Sequence, residues 1–360
     1  MNSKIKKVLE TLEKNGFEAY VVGGYVRDTL LNINTTDVDI CTNALPKDII
    51  KIFNKNGSNI NYGSISLNDG KYNFDITTFR SESNYDKRKP LNIKYINDLI
   101  IDLQRRDFTI NSLCMNKEGE IINLLGGLND LNQKSIRIIG DTSKKLTEDP
   151  LRILRAIRFS ITLGFKLDNE IITFINNNKS LIKTLSYTRK YEELNRIFSS
   201  KNAYLGLKIL KDLNLLEELE IKYDNIKVVN DVLGIWAQID YSDNYIFTKS
   251  SSEVIKNIRE IISKGIIDNN VLFKYNLYIS MVAGQILGID YKIISKMHAD
   301  LKIKSAKELD INSKDIFNVL NIKPSPQVKE IIKDLIDQVL NNNLENNYDN
   351  LKKYILKKWK

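Results

Sequence analysis

The hydrophobic period of this chain changes once, near residue 140, so its fold has to join an alternating half to a half with helical periodicity. Before the change, short β-rich runs (FEAYVV, VDICT, GSISL, KYNFDITTF, SLCMN, EIINLL and SIRIIG) alternate with short helical stretches and turn signals such as the Asn-Asp-Gly at 68–70. That pattern predicts an α+β domain. After it, DPLRILRAIRFSITLGF, EELNRIFSS, AYLGLKILKDLNLLEELE, SSEVIKNIREIISKG and SPQVKEIIKDLIDQVLNN place apolar residues at i, i+3 and i+4 with hardly any strand signal. An all-helical array follows. No fixed-period repeat is present, and the Asn-rich patches read as turns and helix ends.

Composition narrows the chemistry. With 54 Lys and Arg against 45 Asp and Glu, the 360 residues carry a formal net charge of +9. Such a surface suits polyanions such as nucleic acid, or is simply a solvated basic surface. No apolar run is long enough to span a bilayer, and the opening MNSKIKKVLETLEKNG interrupts its apolar positions with charge at helical spacing. A cytoplasmic protein is expected. Two cysteines, Cys41 and Cys114, and one histidine, His298, cannot assemble a Cys/His zinc site, and a Ser-His-Asp machine would rest entirely on His298. An enzyme built from this inventory works with carboxylates, arginines and a hard metal ion.

The stretch YVVGGYVRDTLLNINTTDVDI, residues 20–40, collects those groups. An apolar strand runs into Gly23-Gly24, which let a backbone approach a ligand, and a helix from about Tyr25 turns its free N–H groups toward an anion. Arg27 adds a cation, and Asp28 orients it or caps the turn. Asp37 and Asp39, two apart at the start of a strand, share one face and can hold hard cations, such as the Mg²⁺ that accompanies a triphosphate. Asp75, in the strand FDITTF, is placed to be a third carboxylate that activates an attacking hydroxyl. In QRRDFTIN, Arg105, Arg106 and Asp107 precede a short helix-and-strand stretch. In TEDPLRILRAIRF, a helix started by Pro150 places Asp149, Arg152, Arg155 and Arg158 along one side, with Leu151, Leu154, Ile157 and Ile161 on the other. Arginines so placed repel one another unless an anion lies among them, or they form a solvated face with salt bridges.

Strand, glycine turn, helix and Asp-x-Asp strand in that order resemble the polymerase-β-type nucleotidyltransferases. The further motifs Arg-Arg-Asp-Phe-Thr-Ile-Asn and Glu-Asp-Pro-x-Arg-x-x-Arg-Ala-x-Arg-Phe resemble those of the class II CCA-adding enzymes (tRNA nucleotidyltransferases) and bacterial poly(A) polymerases. SYTRKYEELNRIF and the tail IKSAKELDINSKDIFNVLNIKPSPQVKEII extend the likeness over nearly the whole chain, in the bacterial form without an HD domain.

The resemblance implies a polymerase-β-like head with a mixed sheet at 1–140, then a helical neck at 141–200 for nucleotide recognition, a body at 201–300 and a tail at 301–360, both for RNA. It implies Mg²⁺ on Asp37 and Asp39, and the triphosphate at Gly23, Gly24, Arg27 and Asp28 with Arg106 and Asp107. Asp149 and Arg152 would read CTP or ATP, with Arg155 and Arg158 nearby. The implied partners are tRNA, CTP and ATP, with no membrane or protein partner. A carboxylate accepts from the exocyclic amino group that cytosine and adenine share, and would reject the carbonyl of uracil or guanine. The implied activity is addition of CMP, CMP and AMP to the tRNA 3′ end.

Departures from the pattern are Thr188 and Lys190 in place of Glu and Ile, a loop SESNYDKRKP one residue shorter, and Ser313 and Ser325 in weakened Gly-x-Gly-Pro motifs. A partial CC- or A-adding enzyme, a poly(A) polymerase, a small-molecule nucleotidyltransferase and a non-catalytic RNA-binding protein are the alternatives.

Overall fold

A computed structural model describes residues 1–54, 63–86, 89–323 and 325–359. The chain forms two compact units, Met1–Glu220 and Ile221–Lys360.

In the first unit, helix α1 (Ser3–Lys14) leads into β1 (Ala19–Val22), α2 (Gly24–Leu30), β2 (Asp37–Thr42) and α3 (Pro46–Phe53). Then follow β3 (Ser64–Asn68) and β4 (Asn73–Thr78), joined by a turn in which the Asp69 carboxylate accepts from the N–H groups of Lys71 and Tyr72. With β7 (Cys114–Met115) and β8 (Ile121–Ile122) these strands make a sheet of order β3-β4-β2-β1-β7-β8. Only β2 and β4 run parallel, so the sheet is mixed. Strand alternation sorts the side chains: Val21, Val38, Ile40, Phe74 and Ile76 are buried with Ile5, Leu9 and Leu12 of α1 and Ile49 of α3. The other face carries Asp37, Asp39 and Asp75 at one end. At the other end Cys41 and Cys114 are buried in a cluster with Val22, Phe79 and Leu103.

The segment expected as a shortened loop is instead an antiparallel hairpin, β5 (Arg80–Asp86) and β6 (Lys89–Tyr95). Its polar composition hides the strands, because the sequence there has no apolar alternation. Of the loop residues that carry the family likeness, Arg88 lies outside the described residues.

The rest of the unit is α4 (Leu99–Gln104), α5 (Gly127–Asn132), β9 (Ser135–Ile136), α6 (Thr142–Glu148), α7 (Leu151–Leu163), β10 (Lys166–Leu167), α8 (Asn169–Asn177), α9 (Tyr187–Phe198), α10 (Ala203–Asp212) and α11 (Leu216–Leu219). Helix α7 ends on Gly164 in the left-handed region and buries Leu151, Ile153, Leu154, Ile157 and Ile161. It packs on α9 and α10 where Gly206 permits close approach: a Cβ there would lie 2.5 Å from Ile197 Cγ2. Lys190, which departs from the family pattern, is buried with its ammonium donating to the Glu218 carbonyl at 3.1 Å.

In the second unit, β11 (Ile221–Lys222) pairs with β12 (Asp240–Tyr241) around α12 (Val232–Trp236). These two-residue ladders, like β9–β10, interrupt the expected all-helical array; they are too short to leave a periodic signal. Trp236 is buried among Tyr241, Tyr245 and Phe247. Then come α13 (Lys249–Lys264), α14 (Asn269–Leu287), α15 (Tyr291–Ala299), α16 (Ser313–Leu320), α17 (Gln327–Leu340) and α18 (Tyr348–Lys358). His298 is half-buried on α15. Among the described residues no helix is long and apolar enough to cross a membrane.

Candidate active site

The turn from β1 into α2 sets one wall of the site. Gly23 has φ 77° and ψ −131°, a conformation left to glycine, and a Cβ at this position would sit 3.5 Å from Asp39 Oδ2 and 3.7 Å from Arg106 Nη1. The bare backbone at Gly23 therefore lies against both a carboxylate and a guanidinium. Arg27, one turn along α2, is buried and held on three sides. Its Nε donates to Asp28 Oδ1 at 2.8 Å, its Nη1 donates to Asn111 Oδ1 at 2.6 Å, and its guanidinium lies 5.1 Å from the Phe159 ring centroid. Asp28 thus orients the arginine.

The floor is the open end of the sheet. Parallel pairing of β2 with β4 sets Asp39 beside Asp75 and Asp37 beside Asn73, so the three carboxylates share one face. Asn73 Nδ2 donates to Asp37 Oδ1 at 3.0 Å, and Ser66 Oγ donates to Asp75 Oδ1 at 2.5 Å. Desolvation by the surrounding walls raises the Asp39 carboxyl above its ordinary range; Arg106 pulls it down, and Asp75 and Asp37 add to the rise. Among the described residues no group of three or more His, Cys, Asp or Glu closes on a single metal position.

Arg106 comes from the turn after α4. Its Nη2 donates to Asp102 Oδ2 at 3.2 Å, and its Nε is buried with no hydrogen-bond partner among the described residues. Asp102, fully buried, also accepts from the Arg80 N–H at 3.1 Å and Arg105 Nε at 2.9 Å, while Glu82 on the hairpin pairs with Arg80 and Arg105. One buried carboxylate so fixes three arginines.

The opposite wall is α7 with the residue before it. Asp149 precedes the helix in extended conformation and accepts from the Leu151 N–H at 3.1 Å. Arg152 is buried, its Nη1 donating to the Lys145 carbonyl at 2.7 Å. Arg155 forms a two-pronged ion pair with Asp107, through Nε at 2.9 Å and through Nη2. Burial opposes ionisation of Asp107, yet Arg155 together with hydrogen bonds from Asn111 and the Phe108 N–H keeps its carboxyl below the ordinary range. Arg158 is turned to Glu193 of α9 at 2.9 Å, and burial brings it down to about 10 against the pull of Glu193.

Gly23, Gly24, Arg27, Asp39, Arg106 and Asp107 face Asp149, Arg152 and Arg155 across one cavity of about 460 Å³, entirely within the first unit. That volume is in the range of small-molecule sites. Of the other residues singled out in the sequence, Asp37 and Asp75 flank Asp39 on the sheet, Asp28 lies behind Arg27, and Arg158 points elsewhere. Sequence reasoning missed Glu82, Asp102, Asn111 and Phe159. Asp102 had a signal, since it stands three and four residues before the two arginines. Asn111 and Phe159 close two motifs already noticed, and Glu82 had none.

Comparisons with known proteins place the chain in a family. Residues 19–137 match the family described as "Poly A polymerase head domain", 164–223 that described as "Probable RNA and SrmB- binding site of polymerase A", and 215–355 "tRNA nucleotidyltransferase domain 2". The first unit thus defines a nucleotidyltransferase. The chain is 33% identical over 362 residues to the CCA-adding enzyme of Ligilactobacillus salivarius (91% of this chain, 90% of the relative) and 34% identical over 358 residues to that of Lactobacillus delbrueckii subsp. bulgaricus (91% and 90%). It belongs to the family of class II CCA-adding enzymes, in its bacterial form. The same fold is found in the Bacillus stearothermophilus CCA-adding enzyme in complex with CTP, with a TM-score of 0.88 at 24% identity over 99% of this chain and 98% of that one. It recurs in the Thermotoga maritima CCA-adding enzyme complexed with tRNA, with a TM-score of 0.73 at 19% identity over 100% and 97%.

Proposed function

We propose that this protein adds CMP, CMP and AMP from CTP and ATP to the 3′ end of tRNA, without a nucleic-acid template and with release of pyrophosphate, in the cytoplasm. The observation that carries the reading is the single cavity that sets a carboxylate floor and a glycine-arginine wall against Asp149 and Arg152. The neighbouring carboxylates of Asp37 and Asp39 are a hard, all-oxygen donor set of the kind Mg²⁺ takes, and an incoming triphosphate supplies the further oxygens that such a pair lacks. Bound there, Mg²⁺ supplies Lewis-acid stabilisation of the charge on the phosphates.

This chain's own residues do the rest. The N–H of Gly24 and the cations of Arg27 and Arg106 hold the triphosphate, while the Gly23 N–H is already bonded to the Leu113 carbonyl at 3.1 Å and Gly23 serves by its bare, close-lying backbone. Asp75, beside Asp39, accepts the proton of the attacking 3′-hydroxyl. The Asp149 carboxylate accepts from the exocyclic amine of cytosine or adenine, and Arg152 donates to the ring acceptors. Arg155 and Asp107 neutralise each other and brace that wall. The four-part division into head, neck, body and tail belongs to this reading, with neck, body and tail gripping the tRNA by shape and phosphate contacts.

The test is extension of a tRNA transcript ending at its discriminator base, with Mg²⁺ and CTP, ATP or both, read at single-nucleotide resolution. Two additions are expected from CTP and a third only with ATP present, and Asp39→Ala should abolish all of them. A stop at two with both nucleotides, a long ladder from ATP alone, or no extension would each replace the reading.

A further inference from the structure

We propose that Lys145 is the positioning residue of the base-reading pair, tying Asp149 and Arg152 to the arginine-bearing end of α4; this rests on the role given above to Asp149 and Arg152. Lys145 lies in the last turn of α6, where backbone carbonyls lack partners within the helix. Its carbonyl takes two donors: the Asp149 N–H at 3.2 Å and Arg152 Nη1 at 2.7 Å. One oxygen therefore holds both members of the pair. At its other end Lys145 Nζ donates to the carbonyl of Gln104 at 2.8 Å, and Gln104 is the last residue of α4, directly before Arg105 and Arg106. Lys145 lines a second cavity of about 530 Å³, which shares Glu82 and Arg105 with the first. Without it, the carbonyl that aims Arg152 would lose this tie to α4, while buried Leu146 and the Thr142–Glu170 hydrogen bond still hold α6 itself.

The surroundings give this link a pH signature. Facing Lys145 are Arg152 on α7, Glu82 on β5, Arg105 and Asp107 at and after α4, and Asp141 and Glu148 at the two ends of its own helix. Burial first and Arg152 second bring its ammonium down to about 8, against the pull of Glu148, Glu82 and Asp107. Below that value Lys145 donates a charge-assisted hydrogen bond to Gln104; above it the bond weakens.

The experiment measures kcat/KM for CTP and for UTP on a tRNA transcript ending at the discriminator base, from pH 7 to 9. Wild type, Lys145→Met, Lys145→Arg and Arg152→Ala are compared, each with its melting temperature. Effects of pH common to both nucleotides cancel in the CTP/UTP ratio. Lys145→Met should lower that ratio about tenfold, the worth of one hydrogen bond, chiefly through KM for CTP. Lys145→Arg should restore it. The wild-type ratio should fall as pH rises through about 8, while that of Lys145→Arg stays level. A folded Lys145→Met enzyme with wild-type discrimination overturns the proposal. If Lys145→Met does not fold, identical pH dependence in wild type and Lys145→Arg overturns it. Should Arg152→Ala keep full discrimination, the base-reading assignment itself fails and this inference with it; lost discrimination there with none lost in Lys145→Met removes Lys145 alone.

Discussion

Gly23 and Gly24 look interchangeable as letters, and their backbones are not. Gly23 holds φ 77°, a conformation that strains any residue with a Cβ, whereas Gly24 is the first helical residue of α2 and a Cβ there meets Arg27 Nη2 at an ordinary 3.7 Å. Gly23→Ala should therefore lower stability by about 1–3 kcal/mol through backbone strain, with activity lost beyond that. Gly24→Ala should stay within about 0.5 kcal/mol of wild type. Urea denaturation of both variants measures the difference, and equal midpoints would refute it. At this scale much of the site was legible, because each short motif carries its own geometry: a strand running into two glycines, or aspartates two apart on a strand. What was not legible is who holds whom. Asp102 organises Arg80, Arg105 and Arg106 from within an apolar helix, and only the packing of α4 under the hairpin reveals it.

Helix α7 shows the same limit for an element. Its arginines read as a cationic stripe that either surrounds an anion or is laced with salt bridges, and Arg155 is neutralised by Asp107 and Arg158 by Glu193, each from a distant segment. Periodicity gives the face of a helix and says nothing of what docks there. The Asp107–Arg155 pair ties α7 to the sheet domain, so Asp107→Asn, which leaves the arginine without its counter-charge, should cost stability. The loss belongs at the low end of roughly 3–5 kcal/mol, since Arg155 is still 32% exposed. Because Asp107 is held below its ordinary 3.8, its contribution is complete above that pH and disappears as the pH falls toward the lower folded value. Denaturation midpoints followed from pH 6 to 2 should show this acid limb in wild type and lack it in Asp107→Asn; parallel curves would show that the pair does not dock the helix.

For the whole molecule, the change of period near residue 140 falls after the last strand of the six-stranded sheet, but the first compact unit runs on to Glu220. The reason is physical: the head leaves Asp107 in need of Arg155, and α7 in turn needs α9 and α10 to cover its apolar face. A fragment ending at residue 220 should melt cooperatively, and one ending at 140 should not; thermal circular dichroism on the two decides, and a sharp transition in the shorter fragment would contradict this account. The walls of the candidate site's cavity come from positions as early as Gly23 and as late as Phe159. A ribosome making this chain at about 5–20 residues per second accordingly spends roughly ten to thirty seconds before the last wall exists. Throughout that interval the nascent protein lacks the Asp149–Arg152 wall that completes the cavity, so a nucleotide cannot serve as a scaffold for the whole of its own receptor.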